Sequence, residues 1–165
     1  MLTISEATIQ DFETIREIAY KTWPVVYGEI LSKPQLDYML EKFYSDATLT
    51  DNLVNKGHRF ILVNEDSVCL GFASYEHNYL GESTTRLHKI YLLMESQGKG
   101  IGKLLIDEIT ALAKQNQCDT ISLNVNKFNK AHVFYKKMGF EVIAQEDIEI
   151  GNGYLMEDYR MEKNL

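Results

Sequence analysis

Hydrophobic and polar positions in this chain switch between two periods, and the switches mark out its elements. Residues 2–7 read as a first strand. Over 9–22, Phe12, Ile15, Ile18 and Ala19 recur at helical spacing, and Pro24 after Trp23 predicts where that helix ends. Ser32, with Gln35 three residues on, reads as a capping box opening a second helix through Leu36, Met39, Leu40 and Phe43. A short helical turn over 50–56 would stop at Gly57. Arg59–Asn64 and Ser67–His77 predict two strands joined across the acidic turn Asn64-Glu65-Asp66, and Ser83–Leu93 predicts the next. From 100 to 115, Ile101, Leu104, Leu105, Ile109 and Leu112 share one helix face. Thr120–Asn126 is a strand and Asn129–Met138 a helix that Gly139 stops. Phe140–Ile150 and Tyr154–Glu162 close the chain as strands around Gly151-Asn152-Gly153.

This order, βααβββαβαββ, predicts an α/β (α+β) fold. Alternation of strand and helix after residue 83 allows a parallel crossover from the 83–93 strand to the 120–126 strand, with hairpins on both sides. The expectation is one domain over 1–165: a single twisted, mixed, mostly antiparallel sheet with helices on both faces. No repeat, low-complexity stretch or Pro-, Gly- or Ser-rich linker divides the 165 residues, and 45% hydrophobic residues suffice for one core.

A net charge of -7 argues against a nucleic-acid surface, where clustered Lys and Arg must neutralise phosphates. It mildly favours a cationic small substrate, although ordinary acidity also serves solubility. Cys69 and Cys118 make neither a disulfide framework nor a paired-cysteine metal pattern. His58, His77 and His132 show no metal-ligand spacing with one another or with acids, so no metal is expected. With no basic n-region before an apolar core and no apolar run of spanning length, the chain reads as soluble and cytoplasmic, without a membrane partner. A homodimer stays open.

Candidate chemistry concentrates at one corner. The strand-like run Leu87–Leu93 ends in Met94-Glu95-Ser96-Gln97, and Gly98, Gly100 and Gly102 follow at alternate positions just before a helix. The first amides of a helix lack internal partners and carry partial positive charge, so this corner is an anion site. Two phosphate loops fail on spacing. A dinucleotide fingerprint would need Gly at 103, which is Lys103; a P-loop ending at Gly102-Lys103 would need Gly at 97 and Ser or Thr at 104, where the chain has Gln97 and Leu104.

What fits is Q-x-x-G-x-G, read as Gln97, Gly100 and Gly102, followed by N-x-x-A-x-x-F-Y-x-x-x-G-F from Asn129 to Phe140. These two motifs, in this order, resemble the signatures of the GNAT family of N-acetyltransferases. The runs L-H-K-I-Y-L and Q-G-K-G-I-G-K, with a C-terminal D-Y-x-M-E-K, resemble its bacterial spermidine/spermine branch. The resemblance implies a GNAT fold with a splayed parallel central pair, acetyl-CoA as co-substrate and a small-molecule amine as acceptor, polyamine-like in the first instance. Backbone amides of Gln97, Gly98, Lys99, Gly100, Ile101, Gly102 and Lys103 would then hold the pyrophosphate. Ile90, Tyr91 and Leu92 would pair with the pantetheine arm like another strand, and a freed N–H near Leu92 would stabilise the oxyanion. Asn124 would border the cleft, and Asn129 would cap the second helix and reach the cofactor. Lys99, Lys103 and Lys130 would add charge near the phosphates or sit as solvated surface lysines.

Tyr135 aligns with the family's proton donor to the leaving thiolate, although it also belongs to the apolar stripe of Ala131, Phe134 and Met138. His88 sits where the serotonin N-acetyltransferase relatives carry a catalytic histidine. Period-two alternation predicts Arg86, His88 and Ile90 on one strand face, and His88 titrates in the right range for a base. The proton can equally leave through water to a carboxylate, with Glu29, Glu76 and Glu82 as sources. The chain departs from the family pattern at Met94 and Ser96, where relatives often carry Pro and an aromatic. Trp23–Tyr27 and Tyr38 are either core or walls of an acceptor pocket. Cys69 lacks an activating histidine, which argues against an acetyl-cysteine intermediate. Two rivals remain: an acetyltransferase for protein N-termini or lysines, and a non-catalytic acyl-CoA-binding module.

Overall fold

The computed structural model describes residues 1–165. Seven strands form one sheet: β1 (Leu2–Glu6), β2 (Arg59–Glu65), β3 (Val68–Glu76), β4 (Thr84–Leu92), β5 (Thr120–Asn126), β6 (Glu141–Gly151) and β7 (Tyr154–Asn164). Their spatial order is β1-β2-β3-β4-β5-β7-β6, and only β4 and β5 run parallel. The crossover between those two is α4 (Ile101–Gln115), while α5 (Ala131–Lys137) links β5 to β6. On the N-terminal side lie α1 (Phe12–Tyr27), α2 (Lys33–Tyr44) and α3 (Asp46–Val54). The mixed sheet with helices on both faces is the architecture expected from the sequence.

Apolar alternation along the strands divides the interior in two. Ile61, Ala73, Leu87, Ile121 and Leu123 face α4 and α5, whose Leu105, Ile106 and Ile109 are essentially inaccessible. Phe60, Leu62 and Phe72 point the other way, against Ile15, Trp23, Leu40 and Tyr44 of α1 and α2. Each such aliphatic side chain contributes about 1.5–3 kcal/mol on burial, which is what holds both helical layers to the sheet.

Two local expectations fail, each for a packing reason. Pro24 does not end α1; it lies inside it, and its carbonyl still accepts from the Gly28 N–H at 3.0 Å. Trp23 and Tyr27, one turn apart, are buried against Phe43, Tyr44 and Tyr91, and that packing carries the helix past the proline. The Ser32 cap is half a box: Ser32 Oγ accepts from the Gln35 N–H, but the Gln35 amide donates to the Leu155 carbonyl at 2.8 Å instead of returning. The predicted turn at 50–56 is the end of α3, which Ser45 caps.

β4 carries the two irregularities that build the site. Its parallel pairing with β5 runs only from Thr84–Thr120 to Leu87–Leu123, so the strands part from His88 onward. On its other edge the register with β3 slips between Ser74 and Tyr75: Lys89 pairs with Ser74 and Leu87 with Tyr75, leaving His88 as the bulged residue.

Candidate active site

The parting of β4 from β5 opens a cleft of about 540 Å³. Its walls are the free stretch of β4, the facing end of β5, the glycine corner before α4, the start of α5 and the last turn of α1. His88, Ile90, Tyr91, Leu92, Asn124, Asn129 and Tyr135 line it together, as do Gln97, Gly98, Gly100, Ile101, Gly102 and Lys103. Lys99 does not. Its ammonium pairs with Glu65 at 3.0 Å, while that of Lys103 pairs with Asp107 at 2.6 Å.

The glycine corner has the shape an anion needs. Gly98 and Gly100 adopt φ of +82° and +72°, a region L side chains avoid, and each stands in open space. Gly100 is the N-cap of α4 and has no side chain to bond the first amides, so they stay unclaimed toward the cleft. The Ile101 side chain is buried in the core, leaving only its backbone for a ligand. Gly102 answers a different demand, since a Cβ there would meet the Phe134 ring at 3.2 Å. These residues therefore fit the pyrophosphate of a CoA thioester, and the free edge of β4 fits its amide-bearing arm.

Polar groups frame the middle of the cleft. Asn124 Oδ1 accepts from Arg86 at 2.6 Å, while its Nδ2 donates to Asp158 and Glu146, each at 3.3 Å. Burial lifts the Asp158 carboxyl to about 6 despite the Asn124 amide. Asn129 Oδ1 accepts the Ala131 N–H at 2.9 Å, capping the first free amide of α5 as expected. The Tyr135 ring packs edge-on against Phe134 and Phe140, yet its hydroxyl has no protein partner. Burial and nearby Tyr27 push that phenol far above its ordinary range, so it keeps its proton. Tyr27 itself bonds Tyr91 at 2.9 Å and is pushed up to about 12 by burial.

The bulge corrects the strand-face expectation. Arg86 and His88 do share a face, but Ile90 turns to the α4 side, and Lys89 takes its place beside His88. The Lys89 ammonium lies 5.7 and 5.8 Å from the Tyr44 and Phe60 ring centres and pairs with no carboxylate; burial brings it down to about 8. Among the three carboxylates weighed from sequence, Glu29 and Glu82 are exposed, whereas Glu76 Oε1 is 3.0 Å from His88 Nε2. His58 joins them, 3.3 Å from the same oxygen, with its ring stacked on that of His88 at 3.9 Å and 13°.

Sequence spacing gave no hint of this trio, because β3 and β4 bring it together from three separate segments. It is a poor cation site. Its ligand atoms lie within 4.8 Å of one another, but both Nε2 atoms are already spent on the one Glu76 oxygen, and Lys56 and Lys89 add positive charge nearby. Cys69 stays a thiol: burial raises it, and it donates to the Gly71 carbonyl at 3.4 Å. Trp23 is core, while Tyr27 lines the cleft. Tyr38 bonds the Ile150 carbonyl at 3.3 Å, joining α2 to the β6–β7 hairpin.

Residues 12–140 match the family model described as the acetyltransferase (GNAT) family. The uncharacterized N-acetyltransferase YuaI of Bacillus subtilis is 28% identical, over 95% of this chain and 90% of its own length. A spermidine N(1)-acetyltransferase of Thermoplasma acidophilum is 29% identical, over 94% and 96%. Among solved structures, the PaiA N-acetyltransferase of Thermoplasma acidophilum in complex with coenzyme A superposes with a TM-score of 0.83 at 27% identity, covering 100% of this chain and 99% of that one. A family match across most of the chain, on a sheet that parts where a CoA thioester would enter, establishes that this protein belongs to the GNAT family of N-acetyltransferases and is an acyltransferase that uses acetyl-CoA.

Proposed function

We propose that the enzyme acetylates a primary amine of a small molecule, a polyamine in the first instance, by direct attack in a ternary complex. The observation that carries the reading is that one cleft brings a free strand edge and a glycine cradle together with the His88 and Tyr135 side chains. Acetyl-CoA supplies the acyl group as an activated thioester. The chain supplies the rest. Amides of Gly98–Lys103 bind the pyrophosphate, the Gln97 N–H being engaged by the Met94 carbonyl, and the edge of Ile90–Leu92 that β5 leaves free aligns the arm and polarises the acyl carbonyl. His88 takes a proton from the acceptor amine, and the Tyr135 hydroxyl gives one to the departing sulfur. The polyamine assignment draws on similarity to the Thermoplasma spermidine acetyltransferase along nearly the whole chain.

The test is thiol release from acetyl-CoA across a panel of spermidine, spermine, shorter diamines, free lysine and peptides with a free N-terminus. Release fastest with the polyamines supports the proposal. Release with peptides alone moves the acceptor to protein N-termini. No release with any amine, despite CoA binding, leaves a non-catalytic acyl-CoA-binding module.

A further inference from the structure

We infer that Glu76 and His58 are positioning residues for His88: the shared carboxylate oxygen fixes the His88 tautomer so that Nδ1 faces the acceptor as the base, and the stacked His58 ring holds the His88 ring in that orientation. The inference rests on the acetyl-transfer reading, and three geometric facts carry it. Both imidazoles reach one oxygen, His88 Nε2 at 3.0 Å and His58 Nε2 at 3.3 Å from Glu76 Oε1. A carboxylate only accepts, so both Nε2 atoms carry hydrogen and both Nδ1 atoms hold lone pairs. His58 Nδ1 is buried without a partner, whereas His88 Nδ1 is unbonded on a residue that lines the cleft. The two rings stack at 3.9 Å and 13°, which sets them in one register against Glu76.

The surroundings of His88 explain why it rests neutral. Glu76 of β3 and His58, just before β2, lie on one side, and the Tyr79 ring meets it edge-on at 5.6 Å. Arg86 and Lys89 of β4 and Lys56 beyond α3 add positive charge. Burial, then His58, then these cations hold the His88 imidazole well below its ordinary range, and burial holds His58 at about 4. When His88 Nδ1 takes the amine proton, Glu76 stays ionised and balances the imidazolium, and no other bond changes in that step. His58, neutral throughout, does not compete for the proton.

The first measurement needs no turnover. Nitrogen-15 NMR of the resting protein is expected to show His88 and His58 protonated on Nε2 at neutral pH. In His58→Ala, solvent reaches the ring and Glu76 Oε1 is freed for His88 alone, so the His88 titration and the acid limb of kcat against pH both rise by about one pH unit. His58→Gln, which keeps a donor to Glu76, restores the parent profile. Glu76→Gln lowers kcat by about 100-fold or more, with CoA affinity unchanged, because the tautomer is no longer fixed. A His88 proton on Nδ1, or a His58→Ala variant with unmoved titration and unmoved kcat profile, overturns the inference. A parent enzyme that acetylates no amine defeats the functional reading separately, since the NMR result stands without catalysis.

Discussion

Gly100→Ala isolates the contribution of the glycine cradle. Gly100 has φ of +72° at the mouth of α4, and a Cβ there would meet nothing within 4 Å. Alanine therefore introduces no clash, only the penalty of a left-handed backbone, about 1–2 kcal/mol. That energy must surface in one of two places. If the corner keeps its shape, stability falls, by roughly 2–4 °C of Tm per kcal/mol for a chain of this size. If the corner relaxes instead, its amides lose their aim and the CoA Kd rises about five- to thirtyfold. Gly57→Ala is the control: φ there is +70° with equally open space, but Gly57 follows α3 and does not line the cleft. It should lower Tm comparably and leave CoA affinity unchanged. Thermal melts paired with calorimetric titration of CoA read both quantities. Equal losses of CoA affinity in the two variants, or no effect on either quantity in Gly100→Ala, would refute the assignment of this corner to the phosphates.

Two further outcomes follow from the site. Tyr135→Phe removes a hydroxyl without changing the packing against Phe134 and Phe140, so kcat should fall about 100-fold while CoA Kd holds; an unchanged kcat removes the donor role. Asp158 is buried and titrates at about 6, above its ordinary 3.8, so its ionised form is the unfavourable one in the fold. Its stabilising contribution is complete below pH 3.8 and is lost as pH rises through 6, by at most about 3 kcal/mol. Asp158→Asn should accordingly melt higher than the parent at pH 7.5 and lose that advantage at pH 4; a Tm difference independent of pH contradicts this.

Local pattern made most of the fold legible. Thr120–Asn126 forms the strand its alternation predicts, and Gly139 follows the Met138 cap of α5 where its positive φ is used, whereas α3 ends at Val54, three residues before Gly57. Both GNAT motifs fall on the cleft they imply. What the pattern hid was set by tertiary contact. Pro24 reads as a stop because its ring opposes helix continuation, but the aromatic cluster around Trp23 outweighs that local preference. The His88 bulge follows from the β3–β4 register, which no periodicity along β4 alone reveals, and it exchanges Ile90 for Lys89 on the polar face. His58 came to light only once β3 and β4 were folded beside it. The Asn124–Asp158–Glu146 contacts likewise depend on the β5–β7–β6 order.

A crystal structure with CoA bound tests the donor site most directly. The pyrophosphate is expected on the backbone amides of Gly98–Lys103, the pantetheine along Ile90–Leu92, and the sulfur within hydrogen-bond reach of the Tyr135 hydroxyl and on the His88 side of the cleft. A pantetheine that leaves β4 unpaired, or a sulfur remote from Tyr135, would contradict it.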